Sequence, residues 1–211
     1  MRTDAEAKQQ IVEVCNDLFS MGHLKPTGGN VSARAADPDL VWITPQGLYK
    51  GGLTVDSLVC IRETGDVVEG VNNPSIEFQM HWNSYRARPE ATAAVHTHAL
   101  AATAFGITNQ KFPPINTDAI AVADTRIVPW FLPGSKELAD AVGEALKVSR
   151  GAILQCHGLM AVGETMRRAS NRAMMIEETA RLMLYCKQFG GELTLIPPEW
   201  VEQLEPIKDF I

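Results

Sequence analysis

The sequence predicts an α/β fold, organised as a single layered domain over residues 1–211. Segments with apolar residues at helical spacing alternate with short apolar runs of strand length, which indicates a sheet covered by helices. No linker-like stretch, internal repeat or low-complexity segment divides the chain. Hydrophobic residues make up 45% and charged residues 21% of the sequence, which is typical of a globular protein.

The helices are predicted from apolar spacing and from end signals. Thr3 and Glu6 form a capping-box pattern in front of an apolar stripe. Pro74, with Asn73 as cap, suits the first turn of a helix that ends before Pro89. Helices are expected at 3–21, 74–87, 100–105, 136–148 and 165–189, with a last short helix in the tail that contains Trp200 and Phe210.

The strands are predicted from short apolar or β-branched runs. A glycine-rich turn runs into the first strand within 27–34, and residues 64–66 mark a hairpin turn. Further strands are expected at 40–44, 58–61, 67–68, 93–98, 119–123, 125–128 and 152–156, the last continuing through 159–162.

Composition restricts the partners. The formal net charge is -6 and no basic stripe is present, which argues against nucleic acid. No window approaches the length of a membrane span, and residues 1–6 carry no apolar run of a secretory signal. The four cysteines form no C-x-x-C pair, so reduced thiols, a cytoplasmic location and a small-molecule substrate are expected.

The most informative feature is a pair of histidines, His96 and His98, in a predicted strand. Side chains two residues apart on a strand point to the same face. Two imidazoles on one face are able to coordinate one metal ion, and imidazole is a common ligand of zinc and its first-row neighbours. The pair taken alone is equally compatible with two ordinary polar residues at a strand end.

A catalytic zinc usually has three protein ligands and one open position. His157 is the best candidate for the third ligand, because it follows an apolar strand and precedes a glycine. Cys156 is a rival soft ligand, but it is expected to point to the opposite face. His23 is interpreted as a surface residue in a helix-exit loop.

Glu77 is the candidate acid/base, since a carboxylate beside a divalent cation is able to shuttle a substrate proton. Acidic residues also favour helix N-termini for purely structural reasons. His81 lies four residues further on, where a hydrogen bond to Glu77 along a helix face is possible.

Three turns are candidates for cradling an anion through backbone N–H groups. They are the Gly28-Gly29-Asn30 turn, the turn at 44–47, and the helix start at Ser75. The sequence contains no Walker motif, no G-x-G-x-x-G and no G-x-S-x-G.

In chain order, these pieces resemble the class II aldolase/adducin family over roughly residues 8–190. The combination is more specific than any single motif. The matching motifs are Gly-Asn-Val-Ser-Ala-Arg at 29–34, Ile-Thr-Pro-Gln-Gly at 43–47, Pro-Ser-Ile-Glu at 74–77, Arg-Pro at 88–89 with Ala-Val-His-Thr-His at 94–98, and Gln-Cys-His-Gly-Leu at 155–159.

The resemblance implies a three-layer α/β/α fold with a central, mainly antiparallel sheet. It also implies a homotetramer with active sites at subunit interfaces. Within each site it implies Zn²⁺, or another divalent ion such as Mn²⁺ or Co²⁺, held by His96, His98 and His157, with Glu77 as acid/base. The implied activity is retro-aldol cleavage of a sugar phosphate or related hydroxy-ketone through a metal-stabilised enediolate.

Two departures from the family pattern affect anion binding. The aldolases carry the pattern Pro-Ser-Ser-Glu, and this chain has Ile76 in place of the second serine. They also commonly carry threonine at the position where this chain has Gln46. Ile76 removes a hydroxyl donor, although a phosphate needs several donors. Asn30, Gly47 and Ser75 remain as candidates to bind a phosphate, or a carboxylate instead.

Alternatives of other classes stay open at this point. The altered pocket raises a metal-dependent decarboxylase of a non-phosphorylated hydroxy-aromatic or sugar acid. Epimerase and dehydratase relatives share the metal site, and adducin-like members use the fold as a non-catalytic interaction module. A lyase of aldolase type is preferred because it is the commoner activity. Glu77 and the three histidines at the matching positions argue against the non-catalytic module, which has no need of metal ligands.

Overall fold

Strands and helices alternate along residues 3–209, the part of the chain that the computed structural model describes. The strands are β1 (Asn30–Arg34), β2 (Val41–Ile43), β3 (Val59–Ile61), β4 (Val67–Glu69), β5 (Ala93–Thr97), β6 (Arg126–Val128), β7 (Gly151–Leu154) and β8 (Gly158–Gly163). The α-helices are α1 (Asp4–Ser20), α2 (Phe78–Ala87), α3 (Leu100–Ile107), α4 (Thr117–Ala121), α5 (Lys136–Leu146), α6 (Met166–Phe189) and α7 (Pro198–Leu204). Short 3-10 helices lie at Lys50–Gly52, Val55–Ser57 and Glu205–Asp209.

The strands form one sheet in the order β4-β3-β2-β1-β5-β8-β7-β6. Neighbouring strands run antiparallel, except that β6 and β7 are parallel. The prediction of a central, mainly antiparallel sheet is therefore confirmed. Strand β5 lies in the interior of the sheet, between β1 and β8, and register pairs His96 with Asn30 on one side and with Met160 on the other.

Each face of the sheet has its own apolar core, because alternate residues of a strand point to opposite faces. Helices α1, α3 and α6 cover one face, where Val95 and Ala93 of β5 are buried. Helices α2 and α5 cover the other, where Ala94 of β5 is buried. This is the predicted three-layer α/β/α arrangement, and the parity of β5 puts His96 on the face covered by α2.

Several predicted boundaries agree with the structure, and capping residues account for them. The Thr3–Glu6 capping box closes the first turn of α1. Ser135 and Thr165 cap α5 and α6 through their side chains. Helix α7 contains Trp200 and lies against α4, as the tail prediction anticipated, whereas Phe210 lies outside the described residues.

The strand predicted at 119–123 is wrong, because Thr117–Ala121 forms helix α4. The side chain of Asn116 accepts a hydrogen bond from the N–H of Ala119 and so starts a helical turn. A short run of alanine, isoleucine and valine fits a strand or a helix equally well, and here the cap decides.

The predicted start of α2 is also wrong. Residues 73–75 run beside 44–46, with a bridge between Pro45 and Pro74 and a hydrogen bond from Gln46 N–H to the Asn73 carbonyl. The backbone groups of this segment are therefore used before the helix begins. Helix α2 starts at Phe78, and Glu77 is its N-cap.

Strand β8 does not continue β7 as predicted, because the chain reverses between them. Cys156 adopts a left-handed backbone conformation with φ 57°, and the N–H of His157 bonds to the Leu154 carbonyl. The two strands then pair antiparallel. A Cβ at Gly158 would lie 2.1 Å from the carbonyl oxygen of Thr97, so only glycine lets this turn approach the end of β5.

Glu177 of α6 fixes the start of α3, directly after the histidine pair. Helix α3 has no side-chain cap of its own at Ala99. The buried carboxylate of Glu177 instead accepts the N–H groups of Ala101 and Ala102 at 3.1 and 2.7 Å. An anion at a helix N-terminus is favourable, so α6 holds the segment that follows β5 in place.

Among the described helices, none combines the length and the apolar character needed to cross a membrane.

We expect Gly158→Ala to destabilise the protein by about 2 kcal/mol or more, because the added methyl group meets a backbone oxygen. Gly52→Ala is the matched control, since its Cβ meets only an ordinary contact at 3.5 Å. Urea unfolding measures both, and equal midpoints for the two variants would contradict the proposed close approach.

Candidate metal centre

The end of β5 brings His96 and His98 together. His96 is fully buried on the α2 face, and His98 follows the last residue of the strand. The N–H of His98 bonds to the carbonyl of His23 at 3.0 Å, which fixes the chain as it leaves the sheet. The Nε2 atoms of His96 and His98 are 3.0 Å apart.

The tight turn between β7 and β8 carries His157 back to the same point. Its ring centroid lies 4.8 Å from that of His96 and 5.0 Å from that of His98. The three rings are steeply inclined to one another, at 66–71°. Three imidazoles from two separate segments therefore converge, as the sequence predicts.

Glu77 completes the group from the start of α2. Its carboxylate oxygens lie 3.3 Å from His96 Nε2 and 3.2 Å from His157 Nε2. One ligand atom from each of the four residues lies within 4.8 Å of all the others, so the group is able to hold a metal ion. Cys156 is exposed and stands apart from it, as expected.

The hydrogen bonds around the group suit a cation at its centre. His96 Nδ1 lies 2.9 Å from the Leu159 carbonyl, so Nδ1 carries a proton and, in the neutral ring, Nε2 has its lone pair facing the group. Glu77 Oε1 is buried without an aligned hydrogen-bond donor, although His157 Nε2 is 3.2 Å away. Three imidazole nitrogens and a carboxylate oxygen are a donor set for zinc and other divalent first-row ions.

Burial and mutual charge control the protonation of these side chains. Burial lowers the pKa of His98 to about 3 and that of His157 to about 4, with His96 acting in the same direction. Burial also lowers the pKa of His96, but the Glu77 carboxylate outweighs it and raises that pKa. Burial raises the pKa of Glu77, yet the imidazoles of His96 and His157 bring it well below its usual range. Glu77 is thus a carboxylate, and His98 and His157 are neutral.

A buried chain of hydrogen bonds holds Glu77 from the side of the sheet. Asn30 Nδ2 donates to Glu77 Oε2 at 2.8 Å, and Asn30 Oδ1 accepts from His81 Nε2 at 2.5 Å. His81 Nδ1 then accepts from the hydroxyl of Ser32 at 2.6 Å, and that oxygen accepts from Tyr85 at 2.8 Å. A carboxylate only accepts hydrogen bonds, so the Asn30 amide nitrogen faces Glu77 and the Asn30 carbonyl oxygen faces His81.

The structure corrects two predictions about histidines. His81 bonds to Asn30 and Ser32 rather than to Glu77, because Glu77 precedes the helix and is out of helical register with His81. His23 is buried rather than on the surface, since its turn packs beneath the segment that follows β5.

A cavity of about 240 Å³ opens beside the group. The three predicted anion-binding turns all line it, through Gly28, Asn30, Gly47 and Ser75 among others. A Cβ at Gly28 would lie 2.7 Å from His98 Nδ1, so glycine is needed where this turn meets the histidine. Ser75 accepts a hydrogen bond from the N–H of Glu77, which leaves its own O–H free to donate into the cavity.

Lys50 lines the same cavity and was not predicted from the sequence. Ser32 and Tyr85 were likewise missed as parts of the network. Ser32 belongs to the Gly-Asn-Val-Ser motif, and its position two residues after Asn30 could have indicated a shared face of β1. No local signal marks Lys50, because an isolated lysine is normally exposed.

Comparison with known proteins agrees with this arrangement. Residues 9–184 match the family described as Class II Aldolase and Adducin N-terminal domain. One relative is a 5-methylthioribulose-1-phosphate/5-deoxyribulose-1-phosphate aldolase of Escherichia coli O45:K1, 34% identical over 181 residues, 84% of this chain and 83% of the relative. Another is an L-fuculose phosphate aldolase of Escherichia coli strain K12, 36% identical over 178 residues, 83% of this chain and 81% of the relative. A solved structure of L-fuculose 1-phosphate aldolase has a TM-score of 0.87 at 29% identity and covers 97% of both chains.

The chain belongs to the class II aldolase/adducin family. With aldolases as its relatives, it is an enzyme of the class II, metal-dependent lyase type, which confirms the predicted fold and activity class. These findings do not favour the decarboxylase alternative.

Burial lowers the pKa of His81 to about 3, whereas an imidazole in the unfolded chain titrates near about 6.5. Between these values the unfolded chain binds a proton that the native chain does not, so the free energy of unfolding falls as the pH falls. We expect His81→Phe to reduce this slope by about 1.4 kcal/mol per pH unit around pH 5. Urea unfolding of metal-free protein at several pH values measures it.

The control is Tyr85→Phe, which removes a hydroxyl from the same network but keeps the imidazole. Its slope should equal that of the wild type. If His81→Phe and wild type gave parallel lines, His81 would be titrating in the native protein and the buried neutral imidazole would be wrong.

Proposed function

We propose that this chain cleaves a ketose 1-phosphate by a retro-aldol reaction, with His96, His98 and His157 as metal ligands and Glu77 as acid/base. The observation that carries the proposal is the convergence of these four side chains beside a cavity that Glu77, His98 and His157 line together with the candidate anion-binding turns. The names of the aldolase relatives support a phosphorylated sugar as substrate.

Zn²⁺ is the proposed ion, with Mn²⁺ or Co²⁺ as substitutes, because the donor set suits all three. When bound, the cation supplies a Lewis acid for the oxygen atoms of the substrate. The hydrogen bond from His96 Nδ1 to the Leu159 carbonyl supports its role by orienting the ring so that Nε2 faces the other candidate ligands.

Glu77 is proposed to move the proton that the reaction requires. Cleavage breaks the C3–C4 bond, so the C4 hydroxyl becomes an aldehyde as it loses its proton and C3 retains the electron pair. Product forms when C3 gains a proton, and net transfer is from the C4 hydroxyl to C3. The low pKa of Glu77 makes it a carboxylate that first accepts a proton, and the Asn30 amide holds it at the edge of the cavity.

The phosphate end is assigned to Gly47, Ser75 and Asn30. The N–H of Gly47 has no acceptor among the described residues, and the O–H of Ser75 is free to donate. One of the two Nδ2 protons of Asn30 is committed to Glu77, which leaves the other for a ligand. Backbone N–H groups and hydroxyls of this kind are typical phosphate donors.

A homotetramer with active sites at its subunit interfaces, a cytoplasmic location and a single domain over residues 1–211 remain part of the proposal. Large apolar side chains that are exposed on the single chain are the candidate subunit contacts. They include Leu100, Ile107, Trp130, Leu132 and Phe189.

Purified protein should carry about one divalent ion per chain, and His96→Ala should weaken binding by more than about hundredfold, because a ligand contributes more than its supporting hydrogen bond. Elemental analysis and competition with a chelator measure this. His23→Asn is the control, since it removes a buried imidazole outside the group. Full metal content in His96→Ala would contradict the ligand assignment.

The metal-loaded protein should release an aldehyde and dihydroxyacetone phosphate from a ketose 1-phosphate, and should release no CO₂ from hydroxylated aromatic or sugar acids. Glu77→Gln should retain the metal but lower kcat by about 10² to 10⁴-fold, the usual contribution of an acid/base group. The exposed residue Glu144 offers a control variant, Glu144→Gln, which should keep full activity. CO₂ release without aldehyde would overturn the proposed reaction, and a fully active Glu77→Gln would overturn the role of Glu77.

A further inference from the structure

Lys50 is a buried cation beside the candidate metal centre. Only 1% of the residue is exposed. Its ammonium donates to the carbonyls of Pro45 and Leu48, at 2.9 and 3.4 Å. An ammonium has three N–H donors, and these two bonds leave the third without an acceptor among the described residues.

No anion in the described part of the chain balances this charge. No carboxylate there forms an ion pair with Lys50, and the titratable group that acts on it is the thiol of Cys15. Burial raises the pKa of Cys15 to about 12, so that thiol is uncharged near neutral pH. Buried charges are normally paired, because taking an isolated charge out of water is costly. Burial accordingly lowers the pKa of Lys50.

Lys50 connects two of the turns that line the cavity. Its backbone N–H bonds to the carbonyl of Pro26, just before the Gly28-Gly29 turn. Its side chain is bonded to the carbonyls of the turn that contains Gly47. The uncompensated charge therefore lies where these turns meet, and Lys50 itself lines the cavity.

We propose that Lys50 supplies the positive charge that binds the phosphate group of the substrate. The phosphate dianion of the bound ligand then provides the negative charge that balances the Lys50 ammonium. This inference rests on the proposed function and names a binding residue that the sequence did not indicate. It also accounts for Ile76 and Gln46, because a full charge compensates for the hydroxyl donors that these two positions lack.

A purely structural role explains the burial less well. Neutral donors satisfy two carbonyls without the desolvation cost of an ammonium. A buried charge that costs stability is expected where it contributes to binding. Lys50→Met preserves the length and apolar stem of the side chain while removing the charge, so it separates the two roles.

The experiment uses inorganic phosphate as the probe and the metal-loaded full chain. We expect Lys50→Met to raise the dissociation constant for phosphate by about tenfold to about hundredfold, the range of a charge-assisted hydrogen bond. Calorimetry measures binding, and the phosphate-induced shift in Tm checks it. Lys147→Met, on the exposed surface of α5, is the control and should bind phosphate like the wild type.

Unchanged phosphate affinity in Lys50→Met would overturn the inference. Acetate is titrated in parallel, and acetate binding tighter than phosphate binding would overturn the assignment to a phosphate group. If Lys50→Met fails to fold, a crystal structure of the wild-type protein with phosphate decides. A phosphate oxygen within about 3.2 Å of Lys50 Nζ supports the inference, and a phosphate elsewhere contradicts it.

Kinetics separate this inference from the proposed function. With a ketose 1-phosphate, Lys50→Met should raise KM by the same factor as the phosphate dissociation constant, while kcat changes little. Wild-type cleavage with an unchanged KM in Lys50→Met would refute the role of Lys50 and leave the aldolase reaction intact. Phosphate binding that depends on Lys50, without cleavage of any ketose 1-phosphate, would refute the reaction and leave the anion site intact.

Discussion

The pairing of β5 between β1 and β8 is the constraint on which the site depends. Register places Asn30 beside His96 and sets both on the face that α2 covers. On the other side, β8 brings the Leu159 carbonyl to His96 Nδ1 and the turn before it brings His157 to the end of β5. A shift of the β5 pairing register by one residue would move His96 to the opposite face of the sheet and away from His98, His157 and Glu77, because side chains alternate between faces along a strand.

Charge is concentrated around this end of the sheet in an unusual way. Glu77 is held as a carboxylate among three imidazoles, and the described residues around Lys50 offer no anion. Each of these groups costs stability when buried without a counter-charge. A divalent cation on one side and an anionic substrate group on the other would balance both. Binding and catalysis therefore account for an electrostatic arrangement that folding alone would disfavour.

The sequence predicted most of the helices, the strand carrying the histidine pair and the order of the motifs, because these depend on local signals. Apolar spacing, with the capping box of α1, placed the ends of α1, α5 and α6 within one or two residues. Prediction from the sequence failed where contacts between distant segments, or a cap that was not recognised, decided the local structure. The pairing of 73–75 with 44–46 moved the start of α2 to Phe78, and the cap at Asn116 starts a helix where a strand was predicted.

The sequence by itself determined which chemical groups are available: three histidines and a glutamate in motifs specific enough, as a set, to indicate a class II aldolase. The tertiary structure alone decided what each polar group does. His81 bonds to Asn30 because β1 and α2 share one face, and Lys50 is buried because two distant turns close over it. Local spacing carries helix and strand periodicity, whereas burial and the direction of a hydrogen bond exist only once separate segments meet.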